Sequence, residues 1–399
     1  MSGLPSLKQI ARFEYGDALA QDQRTDGDVP VFGSNGITGV HNAANTLSPA
    51  IILGRKGSFG KVTWTDTPGF CIDTAYYIDR RHTGANLRWL YWTLQTLDLD
   101  VHSEDTGVPG LSREKAYQAK VRCPSDSEQQ HIANFLDKQT ALIDALIAEK
   151  MKLQELLAEQ ERSQVWSLIT KGANPSAPRI ATCAQWIAEV PAHWKVRKIK
   201  WITPVARGAS PRPIDDPKYF DIDGEYAWVR IADVTASEGY LTQTEQQLSE
   251  LGASLSVKRE PGDLFLSIAG TVGKPCITGI KCCIHDGFVW FPGVTSTMLR
   301  DWMFNIFETG LAYAGLGKIG TQLNLNTDTV GNIEIPLPPS LEMSEILAEV
   351  SRVKETNRAL YRHVTAHINR LREYRSSLIS AAVTGQLKIN TFTSNLPEA

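Results

Sequence analysis

The feature that most constrains this chain is that it is written twice. "ILGRKGSFGKV" places Leu53, Gly57, Gly60 and Lys61 at one constant offset from Leu266, Gly270, Gly273 and Lys274 in "DLFLSIAGTVGKP". The correspondence extends in both directions. "FCIDTAYYI" matches "CCIHDGFVW", "KVRCPSDSEQQHIANFL" matches "EIPLPPSLEMSEILAEV", and "RSQVWSLITKG" matches "RSSLISAAVTG", with Gly172 and Gly385 closing the two copies. The offset stays near 213 throughout, so the chain is one unit duplicated, and a repeat of this kind decides the architecture before any single motif does. It also removes the first copy from the nucleotide-binding loops. A P-loop needs Gly at the position of Arg55 and a Ser or Thr hydroxyl at the position of Val62.

Each unit splits into a globular part and a long helix. From Ile132 the steps alternate four and three through Leu136, Gln139, Ile143, Leu146, Lys150, Leu153 and Leu157. From Ile346 the same steps run through Val350, Val353, Leu360, Val364 and Leu371, with Asn357 and His367 as polar interruptions that set register. A narrow seam with a 3.5-residue period marks a coiled coil. Two such seams in one chain most simply pair with each other, antiparallel and with pseudo-twofold symmetry. Ser125 and Ser340 stand in N-cap positions, and Gly172 and Gly385 where left-handed C-caps belong. The globular parts mix short β-type runs and helices, since "AIILGRKGSFGKVTW" and "GDLFLSIAGTVGKPCIT" each read as strand, Gly turn, strand. The expected class is α+β, two mixed α/β domains separated by two long helices. Expected boundaries are 1–123 for the first domain, 124–172 for the first helix and 173–193 for an Ala/Pro-rich linker. The second domain follows at 194–337, the second helix at 338–385 and a tail at 386–399.

Chemistry of its own is not written in the chain. There is no zinc-protease pattern, no G-x-S-x-G elbow and no dinucleotide fingerprint. "DDPKY" (Asp215 to Tyr219) lacks the second proline of the Asn/Asp-Pro-Pro-Tyr/Phe loop of DNA amino-methyltransferases. Six scattered cysteines form no C-x-x-C pair, which argues against a zinc site or a disulfide framework. No apolar run approaches a membrane span, and an intracellular, cytoplasmic protein is expected. A net charge of −3 means that any nucleic-acid surface must be a local concentration of cations.

The residues resemble one known family, the specificity subunits of type I restriction–modification systems, over essentially the whole length. "VPVFGSNGITGVHN", "IILGRKGSFGKVTW" and "FCIDTAYYI" are similar to one version of that family's target recognition domain. "YAWVRIADV", "EPGDLFLSIAGTVGK" and "KIGTQLNLNTDTVGNIEIPLPP" are similar to another. The resemblance implies a non-catalytic subunit whose two target recognition domains each read one half of a split, asymmetric double-stranded DNA site. It implies paired helices that set the spacing and dock two modification subunits, which use S-adenosylmethionine to methylate adenine N6. Two motor-nuclease subunits, dependent on ATP and Mg, would join them. No metal or cofactor would be bound by this chain.

Candidate DNA-contacting residues follow from donor chemistry, because Arg, Lys and hydroxyl groups fix phosphates while Arg, Gln and Asn read base edges. In the first copy these are Arg55, Lys56, Ser58 and Lys61 of the Gly turn, with Ser112, Arg113 and Lys115 further on. In the second they are Arg207, Ser210 and Arg212 of "RGASPRP", Arg230 of "WVRIAD", Thr271 and Lys274 of the Gly turn, and Lys318, Gln322 and Asn324 of "GKIGTQLNLN". Two rival readings are a self-contained enzyme and a coiled-coil adaptor whose domains bind protein.

Overall fold

The computed structural model describes residues 4–99, 110–313, 316 and 325–389. The chain divides into two compact units, Met1–Leu153 with His363–Ala399, and Gln154–Arg362. The first contains strands β1 (Glu14–Tyr15), β2 (Val29–Gly33), β3 (Gly36–His41), β4 (Ala50–Gly54), β5 (Val62–Thr65), β6 (Phe70–Cys71) and β7 (Ala75–Asp79). They form a sheet of order β1-β7-β4-β5 and a second of order β3-β2-β6. Its helices are α1 (Leu7–Ile10), α2 (Leu87–Leu94), α3 (Arg113–Gln118) and the start of α4 (Asp126–Lys171).

The second unit has strands β8 (Arg179–Ala181), β9 (Glu189–Pro191), β10 (Lys195–Lys198), β11 (Ala206–Arg207), β12 (Tyr226–Val229), β13 (Tyr240–Leu241) and β14 (Gln246–Leu248). These continue with β15 (Val257–Arg259), β16 (Leu264–Ser267), β17 (Pro275–Thr278), β18 (Cys282–Ile284), β19 (Phe288–Trp290) and β20 (Glu334–Leu337). Helices α5 (Ile231–Ala236), α6 (Glu250–Ser254), α7 (Thr297–Glu308) and α8 (Thr327–Gly331) precede α9 (Ser340–Thr384). Its sheets, β11-β19-β16-β17-β13 and β14-β12-β18-β15, contain the two sheet orders of the first unit with one further strand each. The duplication read from sequence is therefore a duplication of topology.

The central strand of each copy shows why the sequence runs apolar there without alternating. Ile51 and Leu53 of β4 point into one core, with Tyr76, Ile78, Trp89 and Leu90. Ile52 between them packs in a separate cluster with Phe32, Cys71 and Tyr77. Leu264 and Leu266 of β16 likewise join the core of Trp302 and Phe307, while Phe265 joins Phe288 and Cys276. A strand buried on both faces must be hydrophobic at every position. The Gly turns are also superimposable in their hydrogen bonding. Gly60 N–H donates to Gly54 O at 2.9 Å and Gly54 N–H to Lys61 O at 2.9 Å. Gly273 N–H donates to Ser267 O at 2.8 Å and Ser267 N–H to Lys274 O at 3.1 Å. Gly57, Gly60, Gly270 and Gly273 all have positive φ, between 62° and 83°, which excludes side-chain-bearing residues at low energy.

Both long helices form within two residues of their expected bounds. Ser125 caps α4, its Oγ accepting from Glu128 N–H at 3.4 Å. Gly172 and Gly385 end the helices at φ 72° and 80°. The expected cap at Ser340 is a correction: Pro339 O accepts from Met343 N–H at 2.9 Å and Ser340 is already helical, because a proline needs no N–H at a helix start. Within each unit the α4 and α9 segments run antiparallel and share the domain's core. Ile132, Leu136, Ile143 and Leu371 are buried together in the first unit, and Ile346, Val350, Val165 and Ile169 in the second. Leu146 and Val353 pack at the margins of these cores, and Leu157 and Val364 are half-buried.

Two seam residues are corrections. Leu153 is 38% and Leu360 46% exposed, as are Leu142, Met151, Leu156 and Tyr361 to similar extents. The helix ends lie against sheets and short helices that complete a core, whereas mid-helix residues have only a narrow stripe of neighbours. The stretch 173–193 is a further correction. It holds the β8–β9 hairpin, buries Ile187 and Val190 in the second core, and donates Trp186 Nε1–H to Glu334 O at 2.8 Å. Its apolar residues, diluted by Ala and Pro, concealed an ordered segment. Among the described residues no helix is long and apolar enough to cross a membrane.

Candidate nucleic-acid interface

The first copy brings Arg55 and Arg113 together, although they are 58 positions apart in the chain. Arg55 follows β4, and its Nη1 donates to the Asp73 carbonyl at 3.0 Å. Arg113 opens α3, whose N-cap is Ser112, with Oγ accepting from Lys115 N–H at 3.4 Å. Leu111 N–H donates to Arg55 O at 2.8 Å and ties the two segments side by side. The two guanidinium carbons sit 4.9 and 4.7 Å from the ring centroid of Tyr15. Tyr15 in turn packs edge-on against Tyr76 at 5.0 Å. Burial and the Tyr15 side chain push the Tyr76 phenol up to about 12, so it is neutral across the physiological range.

Lys61 has other partners. Its ammonium donates to the Asn35 carbonyl and Oδ1 at 2.9 and 2.8 Å. Lys274, its counterpart, donates to the Thr235 carbonyl at 2.7 Å, and Thr271 Oγ1 meets Thr235 Oγ1 at 2.9 Å. Lys61 thereby pins its Gly turn to the β2–β3 turn, and Lys274 pins its own to the C-terminal end of α5. Lys56 and Ser58 are exposed on the first turn.

In the second unit Arg207, Ser210 and Arg212 converge on one residue, Asp286. Arg207 Nε donates to its carbonyl at 2.6 Å, Ser210 Oγ to Oδ1 at 2.8 Å and Arg212 Nη2 to Oδ2 at 2.9 Å. The Ser210 hydroxyl and the Arg212 charge hold the Asp286 carboxyl below its ordinary range. Beside it His285 is packed at 4.7 Å from Phe288, and burial lowers its basicity. Arg230 is not part of this group: it pairs with Asp233 and Glu245 at the start of α5. Lys318, Gln322 and Asn324 lie outside the described residues.

Tyr15, Asp286, Asn35 and Thr235 were passed over by sequence reasoning. The signal available was their position, next to strands that the repeat had already placed. Among the described residues, no group of three or more His, Cys, Asp or Glu side chains is arranged to hold a metal ion.

Residues 5–156 match the family model described as type I restriction modification DNA specificity domain. The chain is 27% identical over 118 residues to the type I restriction enzyme EcoprrI specificity subunit of Escherichia coli, spanning 29% of each protein. It is 21% identical to the EcoBI specificity subunit of the same organism over 84% of this chain and 73% of that one. In a solved structure described as showing complex assembly and conformational transition of the type I R-M system, one chain shares this fold. The TM-score is 0.69 at 14% identity, covering 97% of this chain and 99% of that one. The chain is thus similar to type I specificity subunits, and its residues 5–156 carry the match to their DNA specificity domain.

The Asp286 hub is an anchor whose strength follows pH. A carboxylate with a depressed folded-state pKa stabilises the fold above the ordinary value of about 3.9 and loses that contribution as pH falls through the depressed one. Hydrogen exchange in the 207–212 loop is therefore expected to be unchanged between pH 8 and 5, relative to the rest of β11 and β19. It should accelerate selectively toward pH 3, and Asp286→Asn should show the fast behaviour already at neutral pH. Equal exchange in both proteins at pH 7 would show that the carboxylate is not the anchor.

Proposed function

We propose that this chain is the non-catalytic DNA-reading subunit of a type I restriction–modification complex, each globular domain reading one half of a split DNA site. The observation that carries the reading is the duplicated two-sheet topology, each copy followed by a helix of 46 or 45 residues. Two copies with different side chains at equivalent places, Arg55 against Ile268 and Ser58 against Thr271, are suited to reading two different half-sites, so the target is asymmetric. The paired helices act as the spacer. A seam of some 25 residues is roughly 38 Å at 1.5 Å per residue, close to the roughly 34–36 Å of one DNA turn between half-sites read from one face.

The partners implied are two modification subunits, which would carry S-adenosylmethionine and methylate adenine N6, and two motor-nuclease subunits using ATP and Mg. The exposed apolar residues midway along α4 and α9, Leu142, Met151, Leu156 and Tyr361 among them, support a docked partner on the helices. The test is single-molecule methylation sequencing of DNA from cells making this chain with its modification subunit. The expected result is N6-methyladenine at one asymmetric, interrupted motif, absent when this chain is omitted. A motif that persists unchanged without the chain overturns the reading in favour of an adaptor.

A further inference from the structure

We infer that Arg55 and Arg113, splayed on the ring of Tyr15, form a clamp for a backbone phosphate of the DNA strand lying on the first domain. This rests on the DNA-reading role proposed above and gives it a named contact. Three observations carry it. First, the fold spends a long-range contact on bringing two like charges to one aromatic ring, 4.9 and 4.7 Å from its centroid. Cation–π attraction to Tyr15 holds each guanidinium against the ring, but does nothing to neutralise the pair.

Second, neither guanidinium is held by a carboxylate at hydrogen-bond distance. Arg55 uses one nitrogen on a neutral carbonyl, that of Asp73. Arg113 Nε is buried without a hydrogen-bond partner; its nearest carboxylate contact is Glu114 at 3.7 Å, a mostly exposed side chain. Other arginines of this unit differ: Arg12 is held by Glu14 at 2.7 Å, Arg81 by Asp79 and Arg88 by Asp137 at 2.7 Å. Arginine is matched to phosphate because its planar fork donates two parallel N–H groups. Third, the ring is accessible. Tyr15 is 41% exposed, and exposed Lys56 follows Arg55 directly, so the site adds positive charge outward. A base edge carries no net charge and would leave the repulsion between the arginines unrelieved, whereas a phosphate relieves it.

The experiment uses the assembled complex of this chain with its modification subunits, carrying Arg55→Gln, Arg113→Gln or Tyr15→Ala. Affinity for a duplex with the methylation-defined target is measured across a salt series, alongside the methylated motif and thermal unfolding. Each arginine variant is expected to weaken binding roughly ten- to hundredfold and to flatten the salt dependence by about one phosphate's worth. The sequence of both half-sites should stay unchanged. Tyr15→Ala, which removes the ring and no charge, should reproduce the loss with little change in salt slope.

Relaxed sequence at one position of the first half-site would overturn the phosphate assignment and make the arginine a base reader. Unchanged affinity in a normally folded variant would overturn the clamp altogether. If a variant unfolds, Arg55→Lys and Arg113→Lys keep the charge and test the fork alone, and full binding by both would also overturn it. If the unsubstituted complex neither binds nor methylates a defined site, the DNA-reading role fails, and the clamp with it.

Discussion

Gly208→Ala is expected to abolish the second domain's function and destabilise the chain by about 3 kcal/mol or more, the upper end for forced overpacking. A Cβ at residue 208 would stand 2.1 Å from His285 O and 2.6 Å from Ile284 O, where ordinary C···O contacts are about 3.3 Å or longer. The obstacle is main chain and cannot rotate away. Gly208 N–H donates to Phe288 O in one sheet, and Ala209 N–H donates to Ile284 O in the other, so the glycine is where the backbone passes from sheet to sheet. Gly16 has the same place in the first copy. Its added Cβ would meet Ile72 O at 2.1 Å, while Gly16 N–H bonds Ala75 O and Asp17 N–H bonds Cys71 O. Gly84→Ala is the control, since nothing lies within 4 Å of its Cβ; it should stay within about 0.5 kcal/mol of the parent. Urea unfolding of the full chain measures all three. A Gly208→Ala protein as stable as Gly84→Ala would show that the two sheets can separate at that crossing.

Adding one heptad to each long helix is expected to abolish methylation of the original target and move it to a target with the same half-sites and a longer gap. Seven residues add about 10 Å, or roughly three base pairs at 3.4 Å each. Seven is chosen because it keeps the a/d stripe in phase, whereas four residues would turn it away from its partner. The insertions belong beside Leu153 and Leu360, whose exposure means that no buried contact is broken there. Methylation sequencing reads the result. An unchanged gap would separate spacing from helix length, and a changed half-site sequence would show that the helices take part in base reading.

The periodic and repeated features were open to sequence reasoning because they depend on neighbours in the chain. Helices α4 and α9 follow from a 3.5-residue pattern, and the Gly turns from four glycines at a fixed offset. Gly16 and Gly208 stand at an offset of 192 rather than 213, since the loops between them and the Gly turns differ in length. They were hidden for that reason. Leu153 and Leu360 obey the seam's period as well as Ile346 does, yet only the presence of a domain against the helix decides which of them is buried.

The candidate site divides along the same line. Donor chemistry singled out Arg55, Arg113, Arg207, Ser210 and Arg212 from sequence, but not their company. That Arg55 and Arg113 share Tyr15, that three polar residues meet on Asp286, and that Lys61 and Lys274 are taken up by main-chain carbonyls are outcomes of contacts between distant segments. By itself, the sequence determined the duplication, the alternation of domain and helix, and the residue types able to meet DNA. The tertiary structure alone decided which of those residues are neutralised inside the fold and which keep their donors outward, because a side chain's partner is set by the sheet crossing that brings it there and leaves no periodic trace in the chain.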